Sequence, residues 1–234
     1  MELDDRMKSY EEPYRFRVPP RTPVIIRLDG VAFHTVTQDC EKPYDKELKQ
    51  YLVWATQGLM EHVPARFAYH QSDEISLLMI DYNKFNSQQW FGGIIQKMAS
   101  VSASIMAAYM NDDMTDFIGN GAPKYFDARV FSLPKEDIIN YFIWRQNDCR
   151  RNAISGVAQS LYSQKELNGK SRNEQLEMIS AKGKTFENDY PPEFRNGTII
   201  RRSTGTNGDI LSSPAPIFTD NRGFLEQFLI VEES

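Results

Sequence analysis

The chain has 234 residues, of which 41% are hydrophobic and 25% charged, a composition typical of a globular protein with a sizeable core. Its formal net charge of −5 argues against broad, non-specific binding to nucleic acid, although arginines and lysines cluster locally. The two cysteines, Cys40 and Cys149, provide neither a disulfide framework nor a metal-ligand spacing. With no long apolar run and a charged start, the sequence predicts a cytoplasmic protein with no membrane partner.

The first part of the chain alternates strand-like and helix-like patterns. The patterns predict strands over 24–29, 66–72, 75–80 and 126–131, and helices over 3–11, 43–62 and 89–110. From residue 24 to residue 131 the order is strand–helix–strand–strand–helix–strand, the split βαβ or ferredoxin-like pattern. We therefore predict an α+β fold in which helices pack on one face of an antiparallel sheet.

The pattern changes at Pro134. Helices are predicted over 138–161 and 173–182 and a strand over 198–202, whereas 203–209 resembles a loop and 211–218 is ambiguous. We therefore expect a catalytic core of residues 1–134 and a C-terminal helical and strand region of residues 135–234 that packs on it.

Two acidic turns stand out at strand ends. Asp29-Gly30 closes the first strand, and Ser72-Asp73-Glu74 forms the tip of the hairpin. Taken singly, each is most often an ordinary turn. In the split βαβ pattern, however, the first strand pairs with the third, so Asp29 and Asp73 are expected side by side, where a bound cation would remove their repulsion. Mg²⁺ takes oxygen ligands, and two such ions can clamp both oxygens of a phosphoryl transfer.

Other polar residues have a structural reading beside the functional one. His34 follows the first turn, where a lone histidine is usually solvated, and Asp45 is a good residue for a helix start. Lys97 lies near a Gly92-Gly93 pair that would let a ligand approach closely. Because neither a Walker A sequence nor G-x-G-x-x-G occurs, phosphate binding would depend on metals and scattered basic residues.

Five motifs follow one another in the order of a known family. They are Arg27-Leu28-Asp29-Gly30-x-x-Phe33-His34, Lys42-Pro43-x-Asp45, Gln71-Ser72-Asp73-Glu74, Phe126-Asp127-x-Arg129-Val130 and Trp144-Arg145-Gln146-x-Asp148-Cys149. Over roughly residues 3–202 the chain resembles the tRNA-His guanylyltransferases and their bacterial and archaeal guanylyltransferase-like relatives. The resemblance implies a ferredoxin-like polymerase palm that works in the 3′-to-5′ direction. It implies that the 5′ end of a tRNA is activated by a nucleoside triphosphate, after which the 3′-hydroxyl of an incoming GTP or other NTP attacks it.

The resemblance also implies roles for individual residues. Asp29, Asp73 and Glu74 would be the catalytic acids, and Asp29, the Gly30 carbonyl and Asp73 would hold two Mg²⁺ ions. ATP, GTP or another NTP would be contacted by His34, Lys42, Asp45, Ser72 and Lys97. The arginine-rich segment predicts tRNA contacts from Arg145, Arg150, Arg151 and Asn152. The resemblance further implies a homotetramer built as a dimer of dimers.

The chain departs from the family pattern in two places. Eukaryotic members carry His-Ile-Asn-Asn-Leu-Tyr-Asn after the Asp-Cys pair, whereas this chain has Arg-Arg-Asn-Ala-Ile-Ser-Gly at 150–156. This difference favours template-dependent repair of 5′-truncated tRNA, as in the bacterial branch, over dedicated addition of G to tRNA-His. Ile94 also stands where a basic residue is expected.

Two further readings remain open. A nucleotidyl cyclase would use the same acid pair and metals on NTP alone, and the 144–149 motif argues against it. A non-catalytic RNA-binding relative would have no need of Asp29, Asp73, Lys42 and Ser72, all of which are present.

Overall fold

Six strands form one antiparallel sheet in the computed structural model, which describes residues 1–82, 84, 86–112, 122–203 and 208–230. The strands are β1 (Val24–Gly30), β2 (Phe67–Gln71), β3 (Glu74–Met79), β4 (Phe126–Ser132), β5 (Thr198–Arg202) and β6 (Ile210–Pro214). Their order across the sheet is β4-β1-β3-β2-β5-β6, and every neighbouring pair is antiparallel. The first four strands thus have the order expected of the ferredoxin-like pattern, and the α+β prediction is confirmed.

Helices connect and cover these strands. They are α1 (Leu3–Glu11), α2 (Phe33–Val36), α3 (Lys46–His62), α4 (Ile95–Met110), α5 (Ile138–Leu161), α6 (Gln164–Leu167), α7 (Arg172–Ala181), α8 (Phe186–Asp189), α9 (Pro192–Asn196) and α10 (Arg222–Glu226). None of the described helices is both long and apolar enough to cross a membrane.

The sheet is covered on both faces. On one face, α3 and α4 pack against the alternate β1 residues Val24, Ile26 and Leu28, which are all buried. On the other face, Phe142 of α5 packs in a cluster with Ile25. The two palm helices therefore share one face, as predicted, and the C-terminal region covers the other.

The C-terminal region also extends the sheet itself. β5 pairs with β2 and β6 pairs with β5, so the strands after residue 134 continue the palm sheet at its β2 edge. The predicted loop at 203–209 lies partly outside the described residues, and the ambiguous segment that follows it contributes β6.

Two helix starts differ from the sequence prediction. α3 begins at Lys46 and not at 43, because Asp45 adopts an extended conformation and caps the helix by accepting from the Leu48 amide. α4 begins at Ile95 and not at 89, because Phe91 and Gly92 have φ of 50° and 59°, and this left-handed backbone interrupts the short 3₁₀ segment Trp90–Gly93 before the helix.

Candidate active site

The two acidic turns meet at one end of the sheet. Asp29 lies opposite Glu74 in the β1–β3 pair, and the Ser72-Asp73 turn joins β2 to β3. The Gly30 amide donates to the Asp73 carbonyl at 3.2 Å. A Cβ atom on Gly30 would lie 2.9 Å from Asp73 Oδ2 and 2.4 Å from the Phe33 ring, so this position has room only for glycine. Asp29, Gly30 and Asp73 are therefore held together by strand pairing.

Asp73 is in an environment that opposes its charge. Burial raises the pKa of Asp73, and the nearby charges of Asp29 and Glu74 raise it further, against hydrogen bonds from its own amide and the Ser72 hydroxyl. A cation between the two carboxylates would relieve this repulsion.

These oxygen donors fit Mg²⁺. Asp29, Asp73 and the Gly30 carbonyl supply the hard ligands that this ion takes, and substrate phosphates commonly complete its coordination. Among the described residues, no three or more His, Cys, Asp or Glu side chains form a self-contained metal site. A metal at this end of the sheet would therefore need oxygens beyond the two carboxylates.

Glu74 is not a free third carboxylate. Its Oε1 and Oε2 each accept from Arg145, from Nε and Nη2, both at 2.7 Å. Gln71 donates to the same side chain at 3.0 Å. The Arg145–Glu74 pair links α5 to the start of β3, and Arg145 also donates to Asp148 within α5 at 2.7 Å.

A row of basic residues follows the row of acids on the same sheet face. Asp127, Asp29 and Glu74 are paired neighbours across β4, β1 and β3. Two positions further along the same strands, away from the acidic turn, Arg129 of β4 is paired with Arg27 of β1. Like charges in directly opposed positions repel, and Asp127 in the neighbouring row offsets part of this repulsion, since its Oδ1 lies 3.8 Å from Arg129 Nε.

A cleft of about 910 Å³ opens over the acidic turn. Its walls come from the segment between α2 and α3 on one side and from α5 and α9 on the other. The end away from the turn is largely apolar, with the Tyr44 and Phe194 rings 5.4 Å apart between centroids and Ala153 and Gly156 on α5. Glu193 stands beside them, and burial together with this carboxylate raises the pKa of Tyr44 to about 12. The cleft thus joins a charged end to an aromatic end.

The expected nucleotide-binding residues divide into two groups. His34, Asp45 and Ser72 line the cleft, and Ser72 has a left-handed φ of 50°. Lys42 is exposed beside the cleft and donates to the Thr37 carbonyl at 2.8 Å. Both oxygens of the Asp45 carboxylate already have a hydrogen-bond donor, since they accept from the Leu48 and Glu41 amides at 2.9 Å.

Lys97 lies elsewhere in the fold. It is exposed in the first turn of α4, where the Ile95 amide donates to the Phe16 carbonyl. The next residue, Met98, lines a second cavity with Val24 and Met79, which are at the strand ends remote from the acidic turn. The fold therefore does not bring Lys97 into the cleft of the same chain.

The expected tRNA-binding residues have different surroundings. The Arg145 side chain is only 7% exposed and is engaged by two carboxylates. Arg150 pairs with Glu187 and the Asn196 side chain, whereas Arg151 is 64% exposed and pairs with Asp148. Asn152 is exposed and lines the cleft. Arg151 and Asn152 are therefore the members of this set that face solvent.

Three further cleft residues, Arg27, Lys49 and His70, were given no functional role from the sequence, although Arg27 opens the first family motif. Arg27 stands two positions before Asp29, so the period of a strand places both on one face. Lys49 stands four positions after Asp45, on the same side of α3. His70 is 3% exposed, and burial together with Lys49 lowers its pKa to about 4, against a hydrogen bond with the Ser72 backbone.

Comparison with known proteins places this site in a family. A family model described as Thg1, tRNAHis guanylyltransferase, matches residues 4–134, more than half of the chain. A bacterial tRNA(His) guanylyltransferase (Thg1)-like protein in complex with ATP superposes with a TM-score of 0.93 at 36% identity, covering 99% of this chain and 100% of that one. A bacterial protein of the same description in complex with GTP gives a TM-score of 0.84 at 35% identity, covering 98% and 100%.

Curated relatives agree with this result. The tRNA(His) guanylyltransferase 2 of Arabidopsis thaliana is 28% identical over 85% of this chain, which spans only 38% of that relative's length. The first four motifs, including both acidic turns, lie within the stretch matched by the family model. The chain therefore belongs to the tRNA-His guanylyltransferase family, which is a family of nucleotidyltransferases.

Proposed function

We propose that this protein adds nucleotides in the 3′-to-5′ direction to the 5′ end of tRNA, choosing each nucleotide by pairing with a template base. The observation that carries the proposal is the meeting of Asp29, Gly30 and Asp73 at the charged end of a nucleotide-sized cleft. Membership of a nucleotidyltransferase family supports the same reading.

The cleft suggests how a nucleoside triphosphate lies. Its base would occupy the aromatic end beside Tyr44 and Phe194, since flat rings stack well on bases. Its phosphates would then reach the acidic turn and the basic residues Arg27 and His34. The bacterial relatives in complex with ATP and GTP support nucleotide binding in such a fold.

The residues of the acidic turn would hold two Mg²⁺ ions. When bound, these ions would stabilise charge on the attacking and leaving oxygens. Asp29, Asp73 and the Gly30 carbonyl would fix the ligand geometry, and the paired β1 and β3 strands would keep it rigid. Arg27 and Arg129 would neutralise phosphate oxygens on the same sheet face.

The reaction would have two stages. The 5′-phosphate of the tRNA would first attack the α-phosphate of an NTP and release pyrophosphate. The 3′-hydroxyl of the incoming NTP would then attack the activated 5′-phosphate, form the new phosphodiester bond and release the activating nucleotide as a nucleoside monophosphate. The chain has no His-Ile-Asn-Asn-Leu-Tyr-Asn segment after Asp148-Cys149. We take this difference to favour selection by base pairing over a dedicated pocket for G.

A dedicated tRNA-His guanylyltransferase is the second candidate, because the Arabidopsis thaliana relative carries that name. Incubation with 5′-truncated tRNA, Mg²⁺ and each NTP, followed by sizing of the RNA, separates the two. Repair predicts lengthening by the NTP that pairs with the template, whereas the dedicated enzyme adds G alone. A product from NTP without RNA would identify a cyclase, and tRNA binding without any product would identify an RNA-binding relative.

The assembly and compartment are part of the same proposal. We propose a homotetramer in a reducing cytoplasm, in keeping with the free thiols of Cys40 and Cys149. Light scattering at several protein concentrations measures the assembly, and a monomer throughout would exclude the tetramer.

A further inference from the structure

Arg145 lies inside the wall of the cleft and not on its rim. Its side chain is 7% exposed, and the guanidinium makes three charge-assisted hydrogen bonds of 2.7 Å, two to Glu74 and one to Asp148. The Trp144 ring covers it at 4.3 Å from the centroid. A two-point contact between guanidinium and carboxylate fixes direction as well as distance.

The partner that Arg145 holds is next to the acidic turn. Glu74 is the first residue of β3, directly follows Asp73, and is paired with Asp29 across the sheet. Fixing the Glu74 carboxylate therefore restrains the end of the Ser72-Asp73 turn, in which Ser72 already has a strained φ of 50°. The guanidinium also neutralises a carboxylate that would otherwise add to the repulsion on Asp73.

We infer that Arg145 is a positioning residue that acts through Glu74 to hold Asp73 for metal-dependent nucleotide addition, and that it does not bind RNA. This inference rests on the proposed function for the reaction itself. An RNA phosphate would have to displace Glu74 or Asp148 from Arg145, and breaking a buried pair leaves a buried charge without compensation. Arg145 thus departs from the tRNA-binding role that the sequence predicts for it.

The test compares Arg145→Met and Arg145→Lys with Arg222→Met. Arg222 is the matched control because it is exposed and donates to the neutral Asn140 side chain at 3.1 Å. Three experiments are made on each variant. The first gives kcat and KM for NTP on tRNA that carries a 5′-triphosphate, the second gives the tRNA Kd as a function of salt concentration, and the third gives Mn²⁺ affinity from the EPR signal of the free ion.

We expect both Arg145 variants to lose about 10–100-fold in kcat and in Mn²⁺ affinity, the usual effect of losing a group that orients a metal ligand. In the Arg145 variants, the tRNA Kd and its salt slope should stay at parent values. In Arg222→Met, the kinetic constants, the tRNA Kd and the Mn²⁺ affinity should all stay at parent values. Loss of positive charge alone would tighten Mn²⁺ binding. The lysine variant keeps the charge without the two-point contact, so weaker Mn²⁺ binding there isolates the geometric effect.

A weaker tRNA Kd with a salt slope reduced by about one, at unchanged kcat, would make Arg145 an RNA contact and overturn the inference. Should near-UV CD show that the Arg145 variants are misfolded, Glu74→Gln takes their place, since it keeps the shape and removes the charge that Arg145 holds. Parent-like kcat and Mn²⁺ affinity in Glu74→Gln would also overturn it. If the parent protein adds no nucleotide, the proposed function is wrong. The comparison of Mn²⁺ affinity between the parent and the Arg145 variants then still decides whether Arg145 positions the metal ligands.

Discussion

At the scale of single residues, the site depends on one glycine and one strained turn. Gly30 lets the end of β1 approach the Asp73 carboxylate, and Ser72 takes a left-handed φ so that a two-residue turn can present Asp73. The two turns could be anticipated from Asp-Gly and Ser-Asp at strand ends, whereas the left-handed φ of Ser72 and the close approach at Gly30 required the structure. The ion pair between Glu74 and Arg145 could not, because 71 residues separate its partners.

Gly30→Ala tests the close approach. The new methyl would meet the Phe33 ring at 2.4 Å and Asp73 Oδ2 at 2.9 Å, so one of these groups has to move. We expect nucleotide addition to fall by about 100-fold, since shifts of about 1 Å at a reacting centre have effects of that size. Single-turnover rates measure this, with Gly223→Ala as the comparison, because Gly223 lies in α10 outside the cleft and has room for a methyl group. A Gly30→Ala rate within threefold of the parent would contradict the assigned geometry.

His70 predicts a dependence of stability on pH. Its pKa falls to about 4 in the folded protein from 6.5, so between these values the unfolded chain binds more protons than the folded one. The free energy of unfolding should therefore rise with pH across this window, by up to roughly 3 kcal/mol. In urea titrations from pH 4 to 7, His70→Leu should lose this rise, whereas the exposed His62→Gln should keep it. An unchanged profile in His70→Leu would assign the rise to other groups.

At the scale of elements, helix caps and local backbone conformation determine where the helices begin, which the spacing of apolar residues does not define. The predicted helix from Ile138 to about Leu161 and the predicted strand over 198–202 agree with α5 and β5. The starts of α3 and α4 were wrong by three and six residues, since a cap at Asp45 and positive φ at Phe91 and Gly92 override the periodicity. Helix ends follow local backbone chemistry that spacing alone does not describe.

Asp45 provides a test of the α3 cap. Asp45→Ala removes acceptors for the Leu48 and Glu41 amides and should destabilise the protein by about 1 kcal/mol. Asp45→Asn keeps one acceptor and should cost less. Burial opposes the charge of Asp45, but the bonds from these backbone amides outweigh it and lower the pKa. The charge of Asp45 therefore stabilises the folded protein fully above the pKa that Asp45 has in the unfolded chain. This stabilisation is lost as the pH falls through the lower pKa that Asp45 has in the folded protein.

Urea unfolding at pH 7 and at pH 3 measures both effects. The cost of Asp45→Ala should be larger at pH 7. Equal costs at the two pH values would show that the charge of Asp45 does not contribute to the cap.

The paired arginines of β1 and β4 provide a test of the basic row. Arg129→Gln removes one of two opposed like charges and also the exposed ion pair of Arg129 with Asp127, so the stability of the nucleotide-free protein should stay within about 1 kcal/mol of the parent. The KM for NTP or for 5′-triphosphate tRNA should rise about tenfold, a typical loss for one charge-assisted contact to phosphate. Arg222→Gln is the control. If Arg129→Gln is less stable than the parent and has an unchanged KM, the Arg27–Arg129 pair has a structural role and does not bind phosphate.

At the scale of the whole molecule, the sequence predicted the order of the first four strands and the proximity of Asp29 and Asp73, but not the cleft. The order of strands follows from the split βαβ pattern, and strand pairing then brings Asp29 and Asp73 to the same end. The aromatic end of the cleft joins Tyr44 to Phe194, which are 150 positions apart and are brought together only when α5 and α9 dock on the sheet. For the same reason, the partners of Arg150 and the position of Lys97 outside the cleft could be found only from the folded structure.

The central claim is that the template base selects the nucleotide added at the 5′ end. The most direct measurement uses one 5′-truncated tRNA in two forms, with C or A as the template base opposite the first missing position, and supplies all four NTPs. Changing this base from C to A should switch the added nucleotide from G to U, because a mispaired NTP places its 3′-oxygen away from the reacting phosphate. Addition of G to both forms would contradict the account and identify a dedicated guanylyltransferase.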